Sequence, residues 1–395
     1  MSRLPPEFTL LQVTPELETG GAEQTTVDVA HAVVDAGGKC VVASRGGRMA
    51  ARLEAEGGHL VQMPIQSKNP LVMLGNAARL SDLIKRERVS IVHARSRAPA
   101  FSALWAARTQ NIPFVATYHG VYNAKSALKR WYNAVMTRGD MVIANSEFTR
   151  NHVIREHGID PEKVVAIPRG IDLKRFAPSL ITAARLEALR SAWQLPADHR
   201  SAVILLAGRL TRWKGQSLML EAAEILRARG LDQFVIILAG DDQGRSGYRA
   251  ELDHEIAKRG VGSQVRIVGH CDDMPAAYAL CDLAVAPSLE PEAFGRTAVE
   301  PQVMGRAVLA SDHGAARETV VQGETGWLVK PGDAIAWADA LQIAIEAGTK
   351  RRGSMGEAGR MRARQLYSVE SMCEATLAVY VAVLAKRQAR RGAVA

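Results

Sequence analysis

Short apolar runs recur along the whole 395-residue chain, and amphipathic stretches of helical period lie between them. Strands are expected at 8–13, 40–44, 91–94, 114–118, 141–144 and 164–167, with helical patterns such as 22–36, 71–86 and 98–110 among them. A second series places strands at 202–207, 234–239, 265–268, 283–286, 307–310 and 326–329. Runs this apolar and this regularly alternated with helix are the pattern of parallel sheets covered on both faces. Between the series lies Ile167-Pro168-Arg169-Gly170-Ile171-Asp172, with Pro178 beyond it, a set of turn formers that marks a linker. The expected fold class is therefore α/β, with two doubly wound, Rossmann-like domains in tandem facing a central cleft. Their expected bounds are 1–175 and 176–371, with a terminal helix at 372–395 returning to the first domain. Ligands of such folds lie at the carboxyl ends of the strands.

Composition removes several alternatives. Charged residues make up 23% and apolar ones 47%, which suits a globular protein. No apolar run approaches the ~20 residues of a membrane-spanning helix. The opening, MSRLPPEFTLLQVTP, runs into the first strand without a cleavable signal pattern, so a cytoplasmic setting is expected. Cys40, Cys271, Cys281 and Cys373 are scattered without metal-type spacing and read as reduced, mostly buried thiols. The formal charge of +9 favours anionic partners. No nucleic-acid-binding motif accompanies it, so nucleic acid is not expected.

The most informative segment is 284–305, AVAPSLEPEAFGRTAVEPQVMG. A strand ends, a loop carries Glu292 and Phe294-Gly295, and a helical pattern follows with Arg296, Thr297 and Glu300. Glu300 lies about 7 Å along the axis from the helix start, at ~1.5 Å per residue. Two carboxylates so placed can hold hydroxyls at both ends of an elongated ligand whose anionic middle rests on the helix N-terminus. A nucleotide sugar has that shape. A loop acid followed by an ordinary helix glutamate would give the same spacing.

Four further segments sit where strands end. Glu18-Thr19-Gly20-Gly21-Ala22-Glu23 offers backbone amides, although a plain glycine turn fits equally and the three-glycine dinucleotide spacing is missing. Gly208-Arg209 through Lys214-Gly215 presents two cations able to clamp a diphosphate, with Arg212 expected in solvent. His119 ends the strand at 114–118 beside Gly120. Gly269-His270, with Asp273-Met274 after it, is a loop able to hold a nucleobase through its backbone, or simply a connection.

Together these residues resemble family 4 glycosyltransferases of the GT-B fold over nearly the whole chain. The family's Glu-x7-Glu signature corresponds to Glu292 and Glu300, and its Gly-Gly-x-Glu loop to Gly20, Gly21 and Glu23. Its basic pair corresponds to Arg209 and Lys214, and its active-site histidine to His119. Arg169 stands where the family's interdomain Pro-Asn-Gly-Val-Asp has asparagine, Arg296 where leucine is frequent, and Pro301 where alanine is usual.

The resemblance implies transfer of a hexose, with retention, from a nucleoside diphosphate sugar such as GDP-mannose or a UDP-hexose. The expected acceptor is a glycan or glycolipid of lipopolysaccharide type, received by the first domain. Glu292 is expected on hexose hydroxyls, Glu300 on the ribose, His119 on the donor sugar, and Arg209 and Lys214 on the diphosphate. The amides of Phe294 and Gly295 would join them, so no metal and no cofactor is called for. Asp241-Asp242 and Asp272-Asp273 read as turn and capping residues. A sugar-nucleotide epimerase or a non-catalytic nucleotide-sugar binder shares the architecture.

The segment 123–138 mixes Lys125, Lys129, Arg130 and Arg138 with Trp131, Tyr132 and Met136. It suits a helix lying on anionic lipid, or a charged solvent face over a core stripe. Lys85, Arg86, Arg88, Arg95 and Arg97 add to a basic first domain, and Lys386, Arg387, Arg390 and Arg391 to the last helix. Peripheral contact with the inner face of the cytoplasmic membrane is therefore expected.

Overall fold

The computed structural model describes residues 3–18, 20–122, 126–195, 201–242, 244 and 246–392, with the side chains of Ser246 and Arg391 left out. The expectations for Thr19, Lys125 and the Arg391 side chain lie outside the described residues. The chain forms two compact units: Met1–Gly170 with Val369–Ala395, and Ile171–Ser368. The division falls earlier than 175/176 because Ile171 is fully buried in the second unit's core. Its amide donates to the Tyr367 carbonyl at 2.7 Å.

The first unit holds β1 (Thr9–Val13), β2 (Lys39–Ser44), β3 (His59–Gln62), β4 (Ile91–Ala94), β5 (Phe114–Tyr118), β6 (Met141–Ala144) and β7 (Val164–Ala166), all parallel, in the order β3-β2-β1-β4-β5-β6-β7. The second holds β8 (Ala202–Ala207), β9 (Phe234–Ala239), β10 (Val265–Gly269), β11 (Leu283–Ala286), β12 (Val308–Ser311) and β13 (Gly326–Val329), in the order β10-β9-β8-β11-β12-β13. In each sheet the order reverses beside the first strand of the unit, the switch point at which doubly wound sheets open a crevice.

Apolar runs form these strands because both faces are covered. On β1, Leu11 and Val13 join one core with Leu80 and Ala103, while Leu10 joins the other with Val29 and Val33. The helix Val369–Gly392 completes that second core with Leu377, Tyr380 and Val383, and the Tyr380 ring stacks on Phe8 at 6.1 Å between centroids. Each such side chain, fully buried, contributes about 1.5–3 kcal/mol. Among the described residues no helix is long and apolar enough to cross a membrane. The described cysteines are free, and Cys40, Cys281 and Cys373 are buried.

His93 on β4 is fully buried, with Nδ1 2.6 Å from the Tyr380 hydroxyl and Nε2 2.7 Å from Thr117 Oγ1. Burial first, then the charges of Arg95 and His119, hold its imidazole well below the usual 6.5. Unfolded, the ring titrates near its ordinary value, so below that pH the unfolded chain binds a proton that the native ring refuses. Stability therefore falls as pH drops below that value, by up to about 1.4 kcal/mol per pH unit for this group, and is insensitive to it above. Thermal melts between pH 7.5 and 5 should fall less steeply for His93→Gln than for the wild type; parallel slopes would remove His93 from the account.

Candidate active site

In the second unit the expected residues lie at or just beyond the carboxyl ends of strands, in the loops that leave them and the first turns of the helices that follow. After β8, Gly208 and Arg209 lead into a short 3-10 turn, Arg212–Lys214, and then the helix Gln216–Ala228. Arg209 is exposed, and its carbonyl accepts from Gln216 Nε2 at 2.9 Å. Lys214 turns inward along Gly208, with Nζ 4.4 Å from the Trp213 ring centroid. Arg212 stays exposed, as expected, yet pairs with Glu251 and lies 5.1 Å over the Tyr248 ring.

After β11, the loop brings Glu292 against Lys214, with Nζ to Oε1 at 2.7 Å, and Ser288 Oγ donates to the same oxygen. The pair is seventy-eight positions apart in sequence and only 11% and 17% exposed at the side chains. The Glu292 peptide is fixed from below by the turn after β12: Ala315 N donates to its carbonyl at 2.9 Å. The preceding Gly314 has φ +58, and a Cβ there would sit 2.7 Å from Glu292 O and 2.8 Å from its N. Only glycine satisfies both conditions.

Gly295, at φ +79, turns the chain into the helix Arg296–Val303. Phe294 is 4% exposed and packs edge-on against Tyr367, so its side chain anchors the loop. Thr297 is half-buried in the first helical turn. Glu300 is 9% exposed, and both its oxygens are engaged: Tyr278 Oη donates to Oε2 at 3.2 Å and Arg296 Nε to Oε1 at 2.9 Å. A carboxylate has about four acceptor sites, so capacity for diol hydroxyls is left. Pro301 follows inside the helix and removes the amide that would bond the Thr297 carbonyl. Gly269 (φ +74) ends β10, and the loop after it leads to Met274, the first residue of the helix Met274–Leu280, whose cap is Asp273. Asp242 Oδ1 accepts from Gly244 N in a turn and Asp273 Oδ1 from Ala276 N at the helix start, the turn and capping work expected of these two.

In the first unit, His119 follows β5. Its carbonyl accepts from Asn145 Nδ2 at 3.1 Å, and its Nδ1 lies 3.3 Å from Arg169 Nη2. Burial first, then Arg169 and Arg95, hold its imidazole well below the usual range, so the ring is neutral at physiological pH. Gly20 caps and Gly21 opens the helix Gly21–Asp35, as the sequence suggests, and side chains of the same unit lie against both glycines. A Cβ on Gly20 would meet the Glu23 carboxylate at 2.1 Å, and one on Gly21 would meet Arg169 Nη1 at 2.0 Å. Both contacts are made by the ends of long side chains, a carboxylate over Gly20 and a guanidinium over Gly21.

Two expectations for the basic surface are corrected. Arg95 is 2% exposed and donates to Gln12 Oε1 and Thr117 Oγ1, so it is an internal charge beneath the strand ends and adds nothing to the surface. The helical spacing of 123–138 is broken: helix covers Ala127–Asn133 and a 3-10 turn covers Ala134–Thr137. Met136 is fully buried, whereas Leu128 and Trp131 stay exposed beside Lys129 and Arg130. Arg97 lies 4.0 Å over the Tyr122 ring and donates to the buried Asn133. Among the described residues no group of three or more His, Cys, Asp or Glu is placed to hold a metal ion.

Cations, helix N-termini and carboxylates gathered at strand ends are the equipment for handling an activated sugar phosphate, and comparison with known proteins gives the same class. Residues 19–175 match the family model described as Glycosyltransferase Family 4, and residues 189–362 match Glycosyl transferases group 1. The structure superposes on a glycosyltransferase from Rickettsia africae with a TM-score of 0.89 and 33% identity, covering 96% of this chain and 99% of that one. Anabaena HepE in complex with UDP-glucose shares the fold at 24% identity and a TM-score of 0.80, with 95% and 100% covered. A D-inositol 3-phosphate glycosyltransferase from Jonesia denitrificans is 29% identical over 73% of this chain and 71% of its own length. Relatives of that name are matched over 49% to 73% of their length. With both of its units matched, and a third of its residues shared with a glycosyltransferase of nearly equal span, the chain belongs to glycosyltransferase family 4.

Proposed function

We propose that this glycosyltransferase moves a hexose from a nucleoside diphosphate sugar, with retention at the anomeric carbon and without a metal ion, to an acceptor carrying phosphate. The observation that carries this reading is the contact between Lys214 and Glu292 beside the Arg296–Val303 helix, with Glu300 one turn further in. Lys214 and the exposed Arg209 are offered as the cations that meet the departing diphosphate, with the Phe294 and Gly295 amides beside them. Glu292 binds hexose hydroxyls and Glu300 the ribose. His119, held neutral, donates to the sugar being transferred. None of these carboxylates is free of a cation partner, so front-side attack, with the leaving phosphate accepting the acceptor's proton, is the mechanism this set suits.

The relatives' name points to a phosphorylated acceptor, as does the formal charge of +9. Exposed Leu128 and Trp131 beside Lys129 and Arg130 favour an acceptor met at an anionic lipid surface, such as a phosphorylated glycolipid. A thermal-shift panel of UDP- and GDP-sugars tests the donor, because a ligand of the native state raises its melting temperature by mass action. One nucleotide class should shift the melt, in EDTA as well as without it. A shift that appears only with added Mn²⁺ or Mg²⁺ would overturn the metal-free assignment. Transfer assayed with phosphorylated acceptors, free or on anionic vesicles, should exceed transfer to their dephosphorylated forms. Equal rates would remove the anionic acceptor.

A further inference from the structure

In the sequence the linker residue Arg169 stands out only as a departure from the family pattern. Its guanidinium occupies the hollow over Gly21, where a Cβ would come within 2.0 Å of Nη1, and its Nη2 reaches His119 Nδ1 at 3.3 Å. The backbone beside it is pinned within the same unit: Gly170 N donates to Met372 Sδ at 3.2 Å. A guanidinium carries only donors, so Nδ1 must be the acceptor of this contact. A neutral imidazole has a single ring proton, and that proton then belongs on Nε2. His119 Nε2 is buried and has no hydrogen-bond partner among the described residues. A fold keeps such a group dry and unbonded at a cost, and buried orphans of this kind cluster where a ligand completes them.

We propose that Arg169 is a positioning residue which fixes His119 as the Nε2–H tautomer, so that the ring meets the transferred sugar only as a neutral hydrogen-bond donor. The proposal rests on the glycosyltransferase reading for the word sugar; the tautomer itself does not depend on it. It assigns Gly21 a role in this chain, which is to seat the guanidinium that orients the ring. It also separates His119 from general-base catalysis, because the nitrogen directed to the ligand already carries its proton and the other is occupied.

The charges acting on the ring are Arg169, from the linker after β7, and Arg95, from the end of β4. Both are cations and both oppose an imidazolium. His93 on β4 is near enough for a charge on either ring to disfavour one on the other, and burial holds it well below its usual range. Tyr122, just after β5, has its phenol hydrogen-bonded to the His119 backbone and raised by burial. Removing the Arg169 charge therefore lets the His119 pKa rise toward its ordinary value.

Long-range ¹H–¹⁵N spectra of histidine-labelled protein distinguish the two tautomers and need no substrate. His119 is assigned by the signals lost in His119→Ala. The wild type should show protonated Nε2 and bare Nδ1 at pH 7.5. Arg169→Met, of similar length and without donors, should shift the ring toward the other tautomer. It should also move the acid limb of the kcat/KM profile to higher pH and lower kcat/KM roughly tenfold at neutrality, about the effect of one lost hydrogen bond. Arg169→Lys, which keeps a donor and the charge, should restore most of both. A wild-type ring protonated on Nδ1 overturns the proposal even if Arg169→Met does not fold. An Arg169→Met protein with the wild-type ring pattern and pH profile overturns it as well. A wild-type spectrum as expected with no sugar transfer from any donor would instead count against the glycosyl-transfer reading alone.

Discussion

Lys214→Ala should lower kcat by about 10²- to 10³-fold, the usual effect of removing one preorganised group from a site of developing charge, with the circular dichroism spectrum unchanged. The expectation follows from how the side chain is held. Its stem runs along Gly208, its ammonium lies over Trp213, and it contacts Glu292 at 2.7 Å. The substitution removes a cation from the leaving diphosphate. It also leaves Glu292 with Ser288 alone, so an uncompensated carboxylate stands beside the arriving phosphates. Lys214→Arg should recover little, since a planar fork does not fill the place of a compact ammonium. Because the two residues touch, the losses in Lys214→Ala and Glu292→Ala should be far from additive in the double variant. A Lys214→Ala enzyme within about twofold of wild type would take the residue out of the chemistry.

Gly314→Ala should lower kcat about 10²-fold although residue 314 carries no side chain and makes no contact with substrate in this account. At φ +58 an alanine is strained by about 1–2 kcal/mol. The new methyl would also meet the peptide of Glu292, which has no flexible end to swing away. Glu292 must therefore shift. Gly323→Ala separates the two effects, since Gly323 has φ +75 but nothing within 4 Å of a Cβ. Both variants should lose roughly 2–8 °C in melting temperature, and only Gly314→Ala should lose turnover. Equal activity in the two would mean that the position of the Glu292 peptide does not govern the rate.

Strands buried on both faces announce themselves as unbroken apolar runs, and these were legible to within a residue at each end, β8 and β9 among them. The edge strand β3 was not, because only Leu60 and Val61 of His59–Gln62 are apolar and neither is fully covered. The loops of the candidate site were legible for a similar local reason: glycine, cation and carboxylate stand at the end of an apolar run. What could not be read were the partners that arrive from elsewhere in the chain. Nothing near Glu300 points to Tyr278, and nothing near Glu292 points to the turn at Gly314. Arg95 looked like a surface cation because its acceptor, Gln12, is eighty-three positions away. Segment 123–138 has helical spacing in sequence, yet Asn133 is drawn inside to Arg97 and the regular helix stops there. Arg169 was visible as an oddity, and its meaning lay in a histidine fifty positions earlier.

The first unit is assembled from two separated pieces of the chain, and the second from one. On the ribosome this imposes an order. All of Ile171–Ser368 must be translated before the helix bearing Leu377, Tyr380 and Val383 emerges, a wait of roughly 10–40 s at about 5–20 residues per second. Throughout that interval the nascent sheet has Phe8, Leu10, Val42 and Ile91 without their last covering layer. Newborn chains are thus open to chaperones and proteases at the amino-terminal half, while the later-made half can already be native.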